Sequence, residues 1–221
     1  MLKKLLLSLT LFTFAPLLAL AQPGQAQPGK AAFEEGKNYD LITPALRTSN
    51  ADMVEVVEFF WYGCGHCYTF EPMIAAWKKK LADDVEFSGS PAMWNPLMEL
   101  HARAYYTADV LGVLDTMNLV LFQAMNVDGK RLASEEEVKA LFVANGVDAD
   151  AFTKAFNSFG VTSQVKQADA RARTAKITGT PSMMVNGKYL ITARKAGSQA
   201  GMLEVADFLI EKERAAAPGA E

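Results

Sequence analysis

Hydrophobic and polar positions follow two rhythms along this chain. Val54–Phe60 (Val-Glu-Val-Val-Glu-Phe-Phe) is β-branched and aromatic, and predicts a buried strand starting near Met53. Tyr62-Gly63 interrupts it. From the two cysteines onward Phe70, Ile74 and Trp77 recur at helical spacing to about Leu81, with Pro72 marking a kink. Asp83-Asp84 then turn the chain into a second strand, Val85–Ser90, so a β-α-β unit with a parallel pair is expected. Tyr39–Thr43, ahead of Pro44, reads as a short edge strand.

Between Asn95 and about Lys176 the rhythm becomes helical. The stripes Leu97/Leu100/Ala104, Leu114/Met117/Leu121, Val138/Leu141/Phe142 and Phe152/Phe156/Phe159 predict roughly five helices. Ser134, three residues ahead of Glu137, is a capping signal, and Asn145-Gly146 closes that helix. Strand character returns at Ser182–Val185 and Lys188–Ile191 around Asn186-Gly187, a strong hairpin signal. An amphipathic helix follows from about Ser198 to Lys212. The order βαβ, helices, ββα predicts one α/β domain, residues 39–94 and 177–214, interrupted by an all-helical subdomain at 95–176.

The ends read differently. Met1–Ala21 has Lys3 and Lys4, an apolar run from Leu5 to Leu20 and a small-residue end, the pattern of a cleaved secretory signal peptide. Residues 22–38 begin with a polar Pro/Gly run and are expected to form a flexible leader; residues 215–221 are expected to be a disordered tail. Loss of Lys3 and Lys4 makes the formal net charge of −3 two units more negative, and there is no basic patch to argue for nucleic acid.

The chemistry concentrates at Cys64-Gly65-His66-Cys67, which holds both cysteines of the chain. The motif sits where a strand feeds a helix N-terminus, whose unpaired N–H groups and dipole favour an anion. Cys64 at that end is therefore expected to be the attacking thiolate, with His66 adding charge or a hydrogen bond. Cys67, three positions on and on the same helix face, is the expected resolving partner. A structural disulfide closing so short a ring would stabilise little. A zinc site needs about four ligands, and beyond the cysteines only His66 and His101 are strong candidates. Redox cycling between dithiol and disulfide, without bound cofactor or metal, is the expected use.

With these residues in view, the chain resembles the DsbA-type periplasmic thiol–disulfide oxidoreductases, thioredoxin-fold proteins with a helical insertion. The resemblance rests on Glu58-Phe59-Phe60, Cys64–Tyr68, Phe70-Glu71-Pro72, Gly179-Thr180-Pro181 and Val185–Tyr189. It implies that Cys64 is the exposed nucleophile, Cys67 its buried partner and His66 the residue that stabilises the reduced thiolate. It also implies that Pro181 is a cis-proline facing the cysteines, with Thr180 offering backbone groups to an extended client peptide. Met183 and Met184, next to Pro181, are candidates for the client groove, and Trp61 for packing beneath the site or lining its rim. Glu58, an acid inside an apolar strand, is a candidate for moving the proton of Cys67; Glu71, one turn past Cys67, is a weaker one. Either could instead be a solvated or salt-bridged acid.

The implied partners are newly exported, thiol-containing proteins and a DsbB-type, quinone-linked membrane oxidase, with this chain acting as a monomer in the periplasm. Three departures stand out. Gly-His separates the cysteines where the best-known members carry Pro-His, Thr180 replaces an apolar residue, and Glu86–Pro91 lacks a lysine that some members carry. Gly-His is also the disulfide isomerase pattern, so isomerase, dedicated reductase and holdase-like peptide binder stand as alternatives to disulfide donor.

Overall fold

A computed structural model describes residues 33–216; the expected signal peptide, the first part of the leader and residues 217–221 lie outside the described residues. The chain runs β1 (Asp40–Leu41), β2 (Val54–Phe60), α1 (Gly65–Lys78), β3 (Val85–Pro91), then helices α2 (Pro96–Val110), α3 (Leu114–Asn126), α4 (Glu135–Ala144), α5 (Ala149–Phe156) and α6 (Phe159–Thr174). It returns through β4 (Ser182–Val185), β5 (Tyr189–Thr192), a short α7 (Ala193–Ala196) and α8 (Gln199–Ala216). The strands form one sheet in the order β1-β5-β4-β2-β3. β2 pairs in parallel with β3 and antiparallel with β4, and β1 is the short edge strand expected.

All seven residues of β2 are buried, because helices cover both faces of the sheet. Successive side chains of a strand point to opposite faces, and β2 shows this clearly. Val54 and Val56 join the cluster formed with Phe70, Ile74 and Trp77 of α1 and with Met202, Val205 and Leu209 of α8. Val57 and Phe59 join Ala172, Ala175 and Ile177 on the other face. Glu58 shares its parity with Val54 and Val56 and therefore lies on the α1 side of the sheet. Phe60, Tyr62 and Cys67 belong to a third cluster, with the buried residues of α2 to α6. The helices between β3 and β4 thus pack directly against the end of β2 that carries the cysteine turn.

Local sequence explains most boundaries. Asn95, Ser134, Asp148 and Ser158 each accept a backbone N–H of the following helix through the side chain, as N-caps do. At α4 the Glu137 carboxylate also returns to the Ala133 amide at 2.8 Å. The β4–β5 loop holds three residues, because Val185 registers with Tyr189. Gly187 has φ +66°, and a Cβ there would stand 2.2 Å from the Leu46 carbonyl oxygen, so only glycine fits.

Several expectations are corrected. Phe159 does not continue the Phe152/Phe156 stripe: it opens α6 behind the Ser158 cap and is 87% exposed. The buried face of α2 is set by Met98, Ala102 and Tyr105 rather than by Leu97 and Leu100, which are only partly covered. Residues 33–38 are docked, with the Phe33 ring edge-on to Phe208 at 5.6 Å and the Glu34 amide bonded to Asn38. Ala215 and Ala216 belong to α8 rather than to a tail.

Candidate active site

Cys64 is the N-cap residue of α1, with extended backbone angles (φ −92°, ψ 109°) and no side-chain cap bond, so its sulfur is left for chemistry. A tight turn delivers it there. The Cys64 amide donates to the Trp61 carbonyl at 2.9 Å, and the Tyr68 amide closes the first helical turn on the Cys64 carbonyl at 3.0 Å. Gly63 lets the Trp61 indole fold over the turn: a Cβ at Gly63 would lie 2.4 Å from that ring. Both cysteines are free thiols; Cys64 is half-buried and Cys67 is fully buried. The Cys64 thiol donates to the Thr180 carbonyl at 3.4 Å.

The two sulfurs are driven in opposite directions. The Cys64 pKa is pulled down to about 5, first by the hydrogen bond from the Cys67 thiol, then by the Thr180 side chain and the amides of Cys67 and His66, against partial burial. The Cys67 thiol is pushed far up, first because its proton is engaged with Cys64, then by burial and by the neighbouring negative charge of Glu58. This is an attacking sulfur that ionises readily beside a partner that keeps its proton. The His66 amide serves Cys64, while the His66 side chain is exposed. His66 is held from α8, where Gln199 donates to its carbonyl at 2.5 Å.

Below the turn lies a buried acid. Glu58 is 3% exposed, and its Oε1 has no hydrogen-bond partner. Burial raises its pKa well above the ordinary carboxyl value, reinforced by the charges of Glu71 and Cys64 and opposed by Lys78. Glu71 is raised too, mainly by burial, against a bond from Asn118. Glu58 and Glu71 line a cavity of about 460 Å³ together with Lys78, Tyr105, Asp109 and Asn118, which brings polar groups up to the buried carboxyl.

Across from Cys64, the Thr180–Pro181 peptide bond is cis, and Pro181 is buried at the end of a groove of about 430 Å³. His66, Thr178, Gly179, Thr180, Arg194 and Gln199 line it. Met183 and Met184 do not. They are 0% and 1% exposed, one in the core on the α1/α8 face and the other on the opposite face. A four-residue strand in the middle of a doubly covered sheet has no side left for a groove, so the candidacy of Met183 for client binding is withdrawn.

Sequence reasoning also missed the residues that hold the turn from α2 and α3. Asn126 donates to the Tyr62 carbonyl at 2.8 Å, the Tyr62 hydroxyl donates to Asn118 at 3.0 Å, and the Trp61 indole donates to His101 at 3.0 Å. These partners lie 64, 56 and 40 residues away, beyond any local pattern. Among the described residues, no group of three or more His, Cys, Asp and Glu is placed to hold a metal.

With this geometry in hand, similarity to known proteins is decisive. The sequence profile of the DSBA-like thioredoxin domain matches residues 82–201. The thiol:disulfide interchange protein DsbA of Azotobacter vinelandii is 41% identical over 186 residues, covering 84% of this chain and 87% of that one. The chain belongs to the DsbA-like family. Its counterpart in Pseudomonas aeruginosa PAO1 is 39% identical over 185 residues, covering 84% of this chain and 88% of that protein. A crystal structure of Pseudomonas aeruginosa DsbA superposes with a TM-score of 0.80 at 38% identity, covering 83% of this chain and 96% of that one. The Xylella fastidiosa DsbA structure gives 0.75 at 32%, covering 80% and 96%. The fold is accordingly a DsbA-like thioredoxin fold with helices inserted between β3 and β4, and the activity is thiol–disulfide oxidoreduction.

Proposed function

We propose that this protein is a disulfide donor working through Cys64, with Cys67 as the resolving thiol. The observation that supports it most directly is the opposed ionisation of the two sulfurs: Cys64 near 5, Cys67 far above an ordinary thiol. A stable Cys64 thiolate favours the reduced form and so makes the disulfide a ready electron acceptor. In the reaction a client thiolate attacks Cys64, the Cys64–Cys67 bond breaks, and Cys67 leaves and takes up a proton. A second client thiolate then attacks the client sulfur of the mixed disulfide, and Cys64 departs as the thiolate. Two electrons pass from the client dithiol to the cysteine pair, and no other cofactor takes part.

Glu58, buried and with its pKa raised by that burial, is the proposed local source of the proton that Cys67 acquires. Thr180 and Pro181, opposite Cys64, are the proposed client-binding residues, with Thr178 and Gly179 extending a backbone edge for an extended peptide. His66 contributes its amide, held by Gln199. The clients are newly exported proteins in the periplasm, reached through a cleaved signal peptide at residues 1–21. Reoxidation falls to a DsbB-type quinone-linked membrane protein. The unit is a monomer with a discontinuous domain, 39–94 and 177–214, and a helical insertion at 95–176.

Thiolate absorbance of Cys64 against pH, paired with the equilibrium against glutathione, tests this reading. A pKa near 5 and a disulfide that glutathione readily reduces are expected, together with loss of disulfide donation in Cys64→Ser. A near-normal pKa with a stable disulfide would make the protein a reductase instead. Client protection surviving in Cys64→Ser would make it a holdase.

A further inference from the structure

Trp61 occupies an unusual position relative to the two cysteines. Its carbonyl accepts the Cys64 amide, and its backbone amide interacts with the Cys67 thiol. Its ring lies against Gly63. The backbone of this one residue therefore contacts both halves of the redox pair, while its side chain leaves the site toward α2.

There it meets His101, which is 1% exposed. The Trp61 Nε1–H donates to His101 Nδ1 at 3.0 Å, with the two rings stacked at 19° and centroids 6.2 Å apart. An indole nitrogen can only donate, so Nδ1 is the unprotonated nitrogen of the imidazole. The proton is then on Nε2, which donates to the Leu132 carbonyl at 3.0 Å. Both ring nitrogens are spent, and their partners dictate the tautomer. Burial holds the imidazole neutral by lowering its pKa, as an accepting Nδ1 requires.

The far anchor is unusual as well. Leu132 is 2% exposed and has φ +49°, a left-handed conformation that costs a non-glycine residue energy. The surrounding packing holds it where its carbonyl meets His101, and strain of this kind concentrates where geometry matters. The helices inserted between β3 and β4 therefore reach the redox turn through a defined relay, from Leu132 to His101 to Trp61.

We propose that His101 is a positioning residue for the cysteine pair: by tying the Trp61 indole to the Leu132 carbonyl, it fixes the turn that presents Cys64. This rests on the reading of Cys64 as the attacking sulfur. The thiolate is stabilised by hydrogen bonds from the Cys67 thiol, two amides and the Thr180 side chain, and each depends on where that turn lies. A buried histidine that merely satisfied its own hydrogen bonds would influence melting temperature and leave those contacts alone.

The test uses the whole chain with His101→Leu, His101→Gln and Trp61→Phe, reading the Cys64 pKa and the glutathione equilibrium beside thermal melting. His101→Leu is expected to raise the Cys64 pKa by about one pH unit, and to move the glutathione equilibrium about tenfold toward the oxidised protein. Trp61→Phe, which keeps an aromatic side chain and loses the indole N–H, should act in the same direction. His101→Gln, which can still accept from Trp61 and donate to Leu132, should restore most of the effect. The Leu/Phe double variant should go little beyond the larger single change, because both break one relay.

A folded His101→Leu protein with the wild-type Cys64 pKa and equilibrium overturns the proposal. Should His101→Leu fail to fold, Trp61→Phe decides in the same way, an unchanged value overturning it and a raised one supporting it. An ordinary Cys64 pKa in the unaltered protein would instead overturn the donor reading itself.

Discussion

Cys64 and Cys67 lie three residues apart at the start of α1, yet they occupy two different media. The Cys64 side is the rim, with helix amides and a neighbouring thiol pointing at a half-exposed sulfur, Thr180 across from it and a polar groove alongside. The Cys67 side is the interior, with a fully buried sulfur packed into the cluster of the α2–α6 helices and a buried carboxyl of raised pKa, Glu58, on the α1 side of the sheet. Identical side chains acquire opposed ionisation from the hydrogen bond between them together with this placement. The difference teaches that the redox bias of the pair is a property of a boundary. It needs a helix N-terminus that opens to water on one side and onto a sealed sheet on the other.

The largest expected test of that boundary is the pH dependence of stability in the reduced protein. Cys64 titrates near 5 when folded, against an ordinary thiol value of about 9. A group with a depressed folded pKa adds stability that is complete above its unfolded pKa and is lost as pH falls through the folded one. The reduced protein should therefore gain stability between about pH 5 and pH 9. Cys67, whose folded pKa is raised, acts in the opposite sense: above about pH 9 its unfolded thiol ionises and unfolding is favoured. The melting temperature of the reduced form minus that of the oxidised form should rise to about pH 9 and then fall. A fully shielded group would add about 1.4 kcal/mol per pH unit, and half-exposed Cys64 should add less. Reduced Cys64→Ser should lose the rise. A flat difference from pH 5 to pH 9 would remove the distinction between the two sides.

Glu58 probes the interior side alone. Its folded pKa is raised by burial, so it favours folding only while it is protonated in both states, below the ordinary value of 4.5. As pH climbs above that value, the unfolded chain ionises and the folded one resists. Glu58→Gln should therefore match the parent at low pH and become more stable than it toward neutral pH, by about 1–3 kcal/mol. Chemical denaturation at two pH values measures this. The same variant should slow the proton uptake that accompanies opening of the disulfide, while leaving the Cys64 pKa near its original value. A gain in stability that did not depend on pH would mean that Glu58 acts through packing rather than ionisation.

The two cysteines and Glu58 were legible in the sequence, and the long-range partners that hold the turn were not. Cys64 and Cys67 at a strand–helix junction, the Asn186-Gly187 turn and the Ser134 cap are local signals, each set by a few adjacent residues. The pairing partner of Trp61 is not local, because His101 is one of two histidines and nothing nearby in sequence points to it. The methionines failed for another reason. Proximity to Pro181 along the chain suggested a groove, but β4 is covered on both faces, and burial is decided by which strands flank it. Phe159 continued a helical stripe by count alone, while Ser158 had already started a new helix with its own phase.

The smallest effect expected concerns Gly65, the residue between the cysteines that departs from the best-known relatives. It is the first residue of α1, and a Cβ added there would have Asn126 Oδ1, at 3.9 Å, as its nearest neighbour, so packing does not demand glycine. The first helical position suits proline, which lacks an N–H that would be unpaired there in any case. The amides that support the Cys64 thiolate come from His66 and Cys67, not from Gly65. Gly65→Pro should therefore stabilise the protein by about 0.4–1 kcal/mol, through the entropy of the unfolded chain, and leave the Cys64 pKa near 5. Melting and thiolate titration of the same sample measure both quantities. A Cys64 pKa displaced by a full pH unit in that variant would show that the backbone between the cysteines, and not only the media on either side of them, sets the redox bias.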